Sequence, residues 1–96
     1  MIPENCEEEI FQTIFENDTV KIERIVSYGQ SSPVGFWYEQ ERAEFVILLK
    51  GEAEILFEER KKELKEGDYI LIPPYKRHRV SFTSNLAVWL TIFFEE

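Results

Sequence analysis

His78 is the one imidazole of this 96-residue chain, and it stands in a segment whose side chains alternate in character. In an extended strand from Arg77 to Thr83, His78, Val80 and Phe82 share one face, and Arg79, Ser81 and Thr83 share the other. The first set is apolar apart from the histidine, so period two predicts His78 on the core side. An imidazole placed there must find hydrogen-bond partners. It is then a metal ligand, a general acid or base, or a core histidine bonded to a neighbouring strand. Glu44 directly precedes the apolar run Phe45-Val46-Ile47-Leu48-Leu49. A carboxylate in that place points into a cavity mouth or is anchored by a partner, because burying it unpaired is costly. The plainer alternative is an edge charge at the start of a strand. Tyr38 and Gln40 are two residues apart and share a face of an extended segment. Glutamine offers a carbonyl oxygen to a hard cation and an amide donor to a ligand.

Other chemistries lack their residues. Cys6 is the only cysteine, so neither an internal disulfide nor a zinc-type cysteine spacing exists. Its neighbours Glu4, Glu7 and Glu8 disfavour the thiolate, and an inert cysteine in the N-terminal tail is expected. A Ser-His-Asp triad has no GxSxG motif to stand on. There is no GxGxxG and no P-loop.

The elements that must position these groups are strands. Val20–Ser27, Phe45–Leu49, Ala53–Phe57, Tyr69–Ile72, Arg77–Thr83 and Leu86–Phe94 are short apolar or alternating segments parted by turn signals. Lys50-Gly51 and Glu66-Gly67-Asp68 are turns, and Pro73-Pro74 stops a strand. Alternation breaks near Arg24-Ile25-Val26, where a bulge is expected. Ile10–Phe15 fits a helical turn or a strand. The charged stretch from Glu58 to Glu66 reads as a solvated hairpin. About eight short strands at this spacing predict an all-β sandwich or barrel, with residues 10–96 as one domain and residues 1–9 as a tail.

The formal net charge of −8 disfavours phosphate backbones and anionic membrane surfaces. The basic cluster Lys76, Arg77 and Arg79 is too short to reverse that. No apolar run is long enough to cross a bilayer as a helix, and the acidic N-terminus is unlike a signal peptide. A cytoplasmic location is expected, with neither nucleic acid nor membrane as partner.

Two segments resemble the two motifs of the cupin superfamily. The first motif of that family runs glycine, five residues, His-x-His, three or four residues, Glu, six residues, glycine. Here Glu44 is followed by six residues and Gly51. The second runs glycine, five residues, Pro-x-Gly, two residues, His, three residues, Asn. Here Gly67 is followed by five residues and Pro73, and His78 stands at the motif's histidine. The resemblance spans roughly residues 33–82 and implies an antiparallel jelly-roll barrel with Glu44 beside His78. This sequence departs from the family at several places. The two motif-one histidines are replaced by Tyr38 and Gln40 on one count, or by Trp37 and Glu39 on the other. The Pro-x-Gly glycine is Tyr75, and the final Asn is Phe82.

Three functions follow as expectations. The barrel binds a small polar or sugar-like molecule through Tyr38, Gln40, Glu44 and His78. Alternatively, a weakly held divalent metal ion on Gln40, Glu44 and His78, with Glu39 as the substitute ligand, serves a small-molecule enzyme of oxygenase or isomerase type. Such a set is poorer in imidazole than transition-metal sites usually are. Thirdly, the chain is a structural or regulatory oligomeric protein with a vestigial pocket. No catalytic residue is assigned. Leu86–Phe94 is apolar on both faces, so its second face needs a cover. That cover is the segment Ile10–Phe15 or a second copy, and the resemblance favours a homodimer with Trp89 or Phe93 near its interface.

Overall fold

The computed structural model describes residues 2–3 and 6–95. Eight strands run β1 (Ile10–Glu16), β2 (Val20–Tyr28), β3 (Ala43–Lys50), β4 (Glu52–Phe57), β5 (Lys61–Lys65), β6 (Tyr69–Ile72), β7 (His78–Thr83) and β8 (Asn85–Phe94). They form a five-stranded sheet in the order β1-β2-β8-β3-β6, facing a three-stranded sheet in the order β5-β4-β7. All pairings are antiparallel, in a jelly-roll arrangement whose sheets do not close into one another. The ambiguous segment Ile10–Phe15 is strand β1. No helix among the described residues is long and apolar enough to cross a membrane.

Alternation builds the core between the sheets. Val46 and Leu48 of β3, Ile70 and Ile72 of β6, and Ala87 and Trp89 of β8 face Ala53, Ile55 and Phe57 of β4 and Leu64 of β5. Full burial of a side chain such as Leu48, Leu64 or Ile72 stabilises by about 1.5–3 kcal/mol. The charged β4–β5 hairpin contributes only Leu64 from its second strand. At the β3–β4 turn Gly51 has φ 89°, and a Cβ there would collide with the carbonyl oxygen of Leu86. Any larger residue at that position has to displace backbone.

Three expectations change. The bulge between β2 and β8 falls where Ser27 pairs with Ala87 and Tyr28 with Asn85, with Leu86 of β8 as the extra residue, rather than at Arg24–Val26, which pair in unbroken register with Val88–Leu90. The break in apolar alternation there reflects Arg24 on the outer face, not an extra residue. Phe82 is 51% exposed instead of facing the core. The pairing of β4 with β7 steps from Ile55–Val80 to Glu54–Phe82, so Ser81 is an inserted residue and the side-chain phase reverses after it. Thr83 is buried in place of Phe82 and donates its hydroxyl to the Gln30 carbonyl at 2.5 Å. Finally, Trp89 and Phe93 turn inward and line the space between the sheets. The outward positions of β8 are Leu90 and Ile92.

Strand β1 lies beside β2 as an added edge and does not cover β8. Only at one end do Ile2, Ile10 and Leu86 pack on Val26, Tyr28 and Val88. The residues before β1 are tied to the end of β2. The Tyr28 hydroxyl donates to the Pro3 carbonyl at 2.8 Å, and the Ser27 hydroxyl donates to the Glu9 carboxylate at 2.6 Å.

Candidate functional site

The site is assembled by a loop, two strands and a turn. The loop between β2 and β3 is fastened to β7. The Ser32 amide donates to the Val80 carbonyl at 2.8 Å, the Val80 amide donates to the Ser32 hydroxyl at 3.0 Å, and the Arg79 guanidinium donates to the Ser32 carbonyl at 2.7 Å. Further along, Tyr38 and His78 exchange both backbone hydrogen bonds, at 2.7 and 3.1 Å. That bridge ties the loop to the start of β7 and sets Tyr38 beside His78, with ring centroids 5.9 Å apart. Two residues on, the Gln40 carbonyl accepts the Tyr75 amide at 2.7 Å. Tyr75 holds φ 62°, the left-handed conformation that favours glycine, and it occupies the place of the glycine in the Pro-x-Gly motif. The backbone thus keeps the motif's shape without its residue.

The polar side chains converge on Glu44. Gln40 Nε2 donates to Glu44 Oε1 at 3.0 Å, and His78 Nε2 lies 3.5 Å from the same oxygen. Glu44 is 8% exposed and His78 6%. His78 Nδ1 stands 2.9 Å from the Lys76 carbonyl, which only accepts, so Nδ1 carries a hydrogen. In the neutral ring Nε2 then presents a lone pair to a carboxylate, whereas the protonated ring presents a donor. Burial opposes the charged ring. The hydrogen bond to Glu44, the bond to the Lys76 carbonyl and the Glu44 charge outweigh it, and the His78 pKa is raised above the ordinary histidine value.

Both expected partners of His78 therefore stand at one place, with Tyr38 at its rim. They line a cavity of about 190 Å³ between the sheets, walled further by Ile55, Val80 and Trp89. Glu39 is exposed and does not line it, and Trp37 packs instead beneath the Arg77 guanidinium, 5.4 Å from the ring centroid. The tyrosine–glutamine count is the one that faces the cavity, because period two from the Tyr38–His78 bridge carries Gln40 to the same side. Sequence reasoning missed Glu9, Glu23, Thr91 and Phe11 as lining residues. Glu23 had a signal, since it alternates with Ile25 and Ser27 on one face of β2. Glu9 lay in the presumed tail and had none.

A metal ion, as the fold family implies, does not fit this donor set. Among the described residues no group of three His, Cys, Asp or Glu side chains is placed to hold one. One imidazole and one carboxylate face each other directly, and the third group is a neutral amide that donates to the carboxylate. The nitrogen that would bind a metal is the one that turns to Glu44.

The chain matches known proteins along nearly its whole length. The cupin domain family model matches residues 24–93. An uncharacterized protein of Aquifex aeolicus (strain VF5) is 37% identical over 90 residues, covering 94% of this chain and 73% of that protein. A crystal structure from Ralstonia eutropha JMP134, of a protein provisionally named a mannose-6-phosphate isomerase, superposes with a TM-score of 0.94 at 37% identity, covering 99% of this chain and 92% of that one. A cupin superfamily protein of Desulfitobacterium hafniense DCB-2 superposes with a TM-score of 0.86 at 22% identity, covering 99% and 84%. The two sheets, the paired motif remnants and these matches give one answer: this chain belongs to the cupin family.

Proposed function

We propose that the protein binds a small polar molecule between its sheets, with Gln40, Glu44 and His78 as the polar contacts and Tyr38 at the entrance. The observation that carries this is the arrangement around Glu44. Oε1 takes both protein contacts, and no described residue donates to Oε2, which is not closed off and opens to the cavity. A ligand hydroxyl or N–H supplies that missing donor. A sugar-like molecule satisfies this requirement. A sugar phosphate, as the provisional name of the Ralstonia protein would suggest, finds no lysine or arginine on the cavity wall. The test is an NMR titration with D-mannose and with mannose 6-phosphate, following the Gln40 side-chain amide and the His78 ring. Saturable shifts with the neutral sugar, lost in Glu44→Ala and His78→Ala, support the reading. Equal binding by those variants overturns it.

The metal-dependent alternative draws on family membership alone, and the donor geometry speaks against it. Assembly draws on the outer face of the five-stranded sheet. Phe45, Ile47 and Leu49 of β3, Tyr69 and Leu71 of β6, and Leu90 and Ile92 of β8 point away from the core, and Leu49, Tyr69 and Leu71 are about half or more exposed. An apolar sheet face of this kind marks a contact surface. With β1 set beside β2, the described N-terminal residues reach the sheet only at the Val26–Val88 end, through Ile2 and Ile10. We infer that a second copy covers the outer face, in the closed two-fold arrangement commonest among oligomers.

A further inference from the structure

Beyond the Gln40–Glu44–His78 cluster, the cavity has a second end with its own charge. There the Trp89 indole donates to the Ser27 hydroxyl at 3.2 Å, and that hydroxyl donates to Glu9 Oε2 at 2.6 Å. The chain of bonds fixes a carboxylate beside an aromatic wall. Glu23, two residues from Ile25 on the same face of β2, adds a second carboxylate whose side chain is 12% exposed. Among the described residues, the cavity lining with Glu44 holds three carboxylates and one imidazole, and no lysine or arginine. Lys21 Nζ lies 3.6 Å from Glu23 Oε2 and is not part of the lining. The remaining wall is aromatic and aliphatic, with Phe11, Tyr38, Trp89 and Phe93 among it.

We propose that the small molecule bound here is an organic amine, its ammonium group held by the cavity carboxylates and its apolar body by the aromatic wall. This rests on the binding reading given above and narrows its ligand class. Carboxylates desolvated by apolar neighbours attract a cation and repel an anion, and ring faces add to the attraction. The carboxylates are spread along the cavity rather than gathered at one point. A metal ion needs its donors within a single coordination shell, whereas an alkylammonium with a body several atoms long meets charges at separate places. The net charge of −8 adds a long-range pull of the same sign.

The experiment compares three probes of nearly one shape: benzylamine, benzyl alcohol and benzoate. The readout is the indole N–H signal of Trp89 in the intact protein, with Trp37 outside the cavity as internal control. Benzylamine shifts the Trp89 signal saturably and leaves Trp37 unchanged, benzyl alcohol binds more weakly, and benzoate gives no shift. The Glu9→Gln/Glu23→Gln double variant, which leaves Gln40, Glu44 and His78 intact, weakens benzylamine about tenfold or more, as expected for loss of charged partners. Glu23→Gln alone gives the same direction should the double variant fold poorly. Benzoate or benzyl alcohol binding as well as benzylamine overturns the proposal. So does an unchanged benzylamine affinity in the variants, or no response to benzylamine at all. Each of these leaves the D-mannose titration to judge the broader binding reading.

Discussion

His78 and Glu44 face each other across 3.5 Å, nitrogen to oxygen, in a place where both side chains are almost wholly removed from solvent. The other ring nitrogen is held by the Lys76 carbonyl, so the ring cannot turn its N–H toward Glu44 without taking up a second proton. The protonation of His78 is therefore written into the geometry of the mouth.

An NMR titration of the His78 ring is expected to give a pKa above the ordinary histidine value. In Glu44→Gln the hydrogen bond to the carboxylate and its charge are lost while burial remains. The pKa then falls, by the direction of each contribution. A value that stays put in Glu44→Gln assigns the shift to another group.

Stability follows the same proton. A histidine whose folded pKa is raised contributes stability that is complete below its unfolded value of about 6.5 and fades as pH climbs through the folded value. Urea unfolding of the natural protein and of His78→Asn across about pH 5 to 9 measures this. The stability difference between them is expected to shrink as pH rises, and a difference that grows contradicts the ion-pair geometry.

Thermal melts with and without a strong chelator are expected to nearly coincide. Neither the number nor the placement of imidazoles and carboxylates around Glu44 suits a tightly held divalent ion. A drop of more than a few degrees on chelation would restore the metal-dependent reading.

Tyr75→Gly tests the backbone beneath Gln40. A left-handed non-glycine residue costs about 1–2 kcal/mol. Glycine returns about 0.5–1 kcal/mol of that through the greater freedom of the unfolded chain. The ring of Tyr75 is 62% exposed and gives up little packing. The net expectation is a gain between about 0 and 1.5 kcal/mol by denaturant unfolding. A clear loss would show that the ring itself holds the loop.

Sedimentation equilibrium is expected to give the mass of two chains, and Leu71→Glu with Leu90→Glu is expected to give the mass of one. Both residues lie on the outer sheet face, away from the cavity, so the monomeric variant keeps its fold. A monomeric mass for the natural protein at high concentration removes the dimer.

Much of this was legible in the residues. Turn signals and short apolar segments were enough to mark out most of the strands, and two half-motifs located Glu44 and His78 in one another's company. What escaped has a common cause. Phe82 went to the wrong face because an inserted residue leaves no trace in composition. Trp89 was assigned to an interface because both faces of β8 are apolar, and only register with Ile25 and Leu48 tells inside from outside. Glu9 reaches the cavity through a single bond to Ser27, a contact that no spacing rule anticipates.

The Ser81 bulge has a further consequence. Strand β7 is two half-strands of opposite phase joined at one residue: His78 and Val80 are inward in the first, Thr83 in the second. Either half alone is in step with only one end of the barrel. Shortening the strand by a single residue would rotate one end through half a turn. It would expel either the histidine from the mouth or Thr83 from its bond to Gln30. The spacer itself touches nothing in the cavity. Its Oγ is spent on Glu54 at 2.7 Å, outside the core. A residue with no part in chemistry thereby sets the frame in which the chemistry is read, and segments exchanged with a relative would stay in frame only if they carried the same spacer.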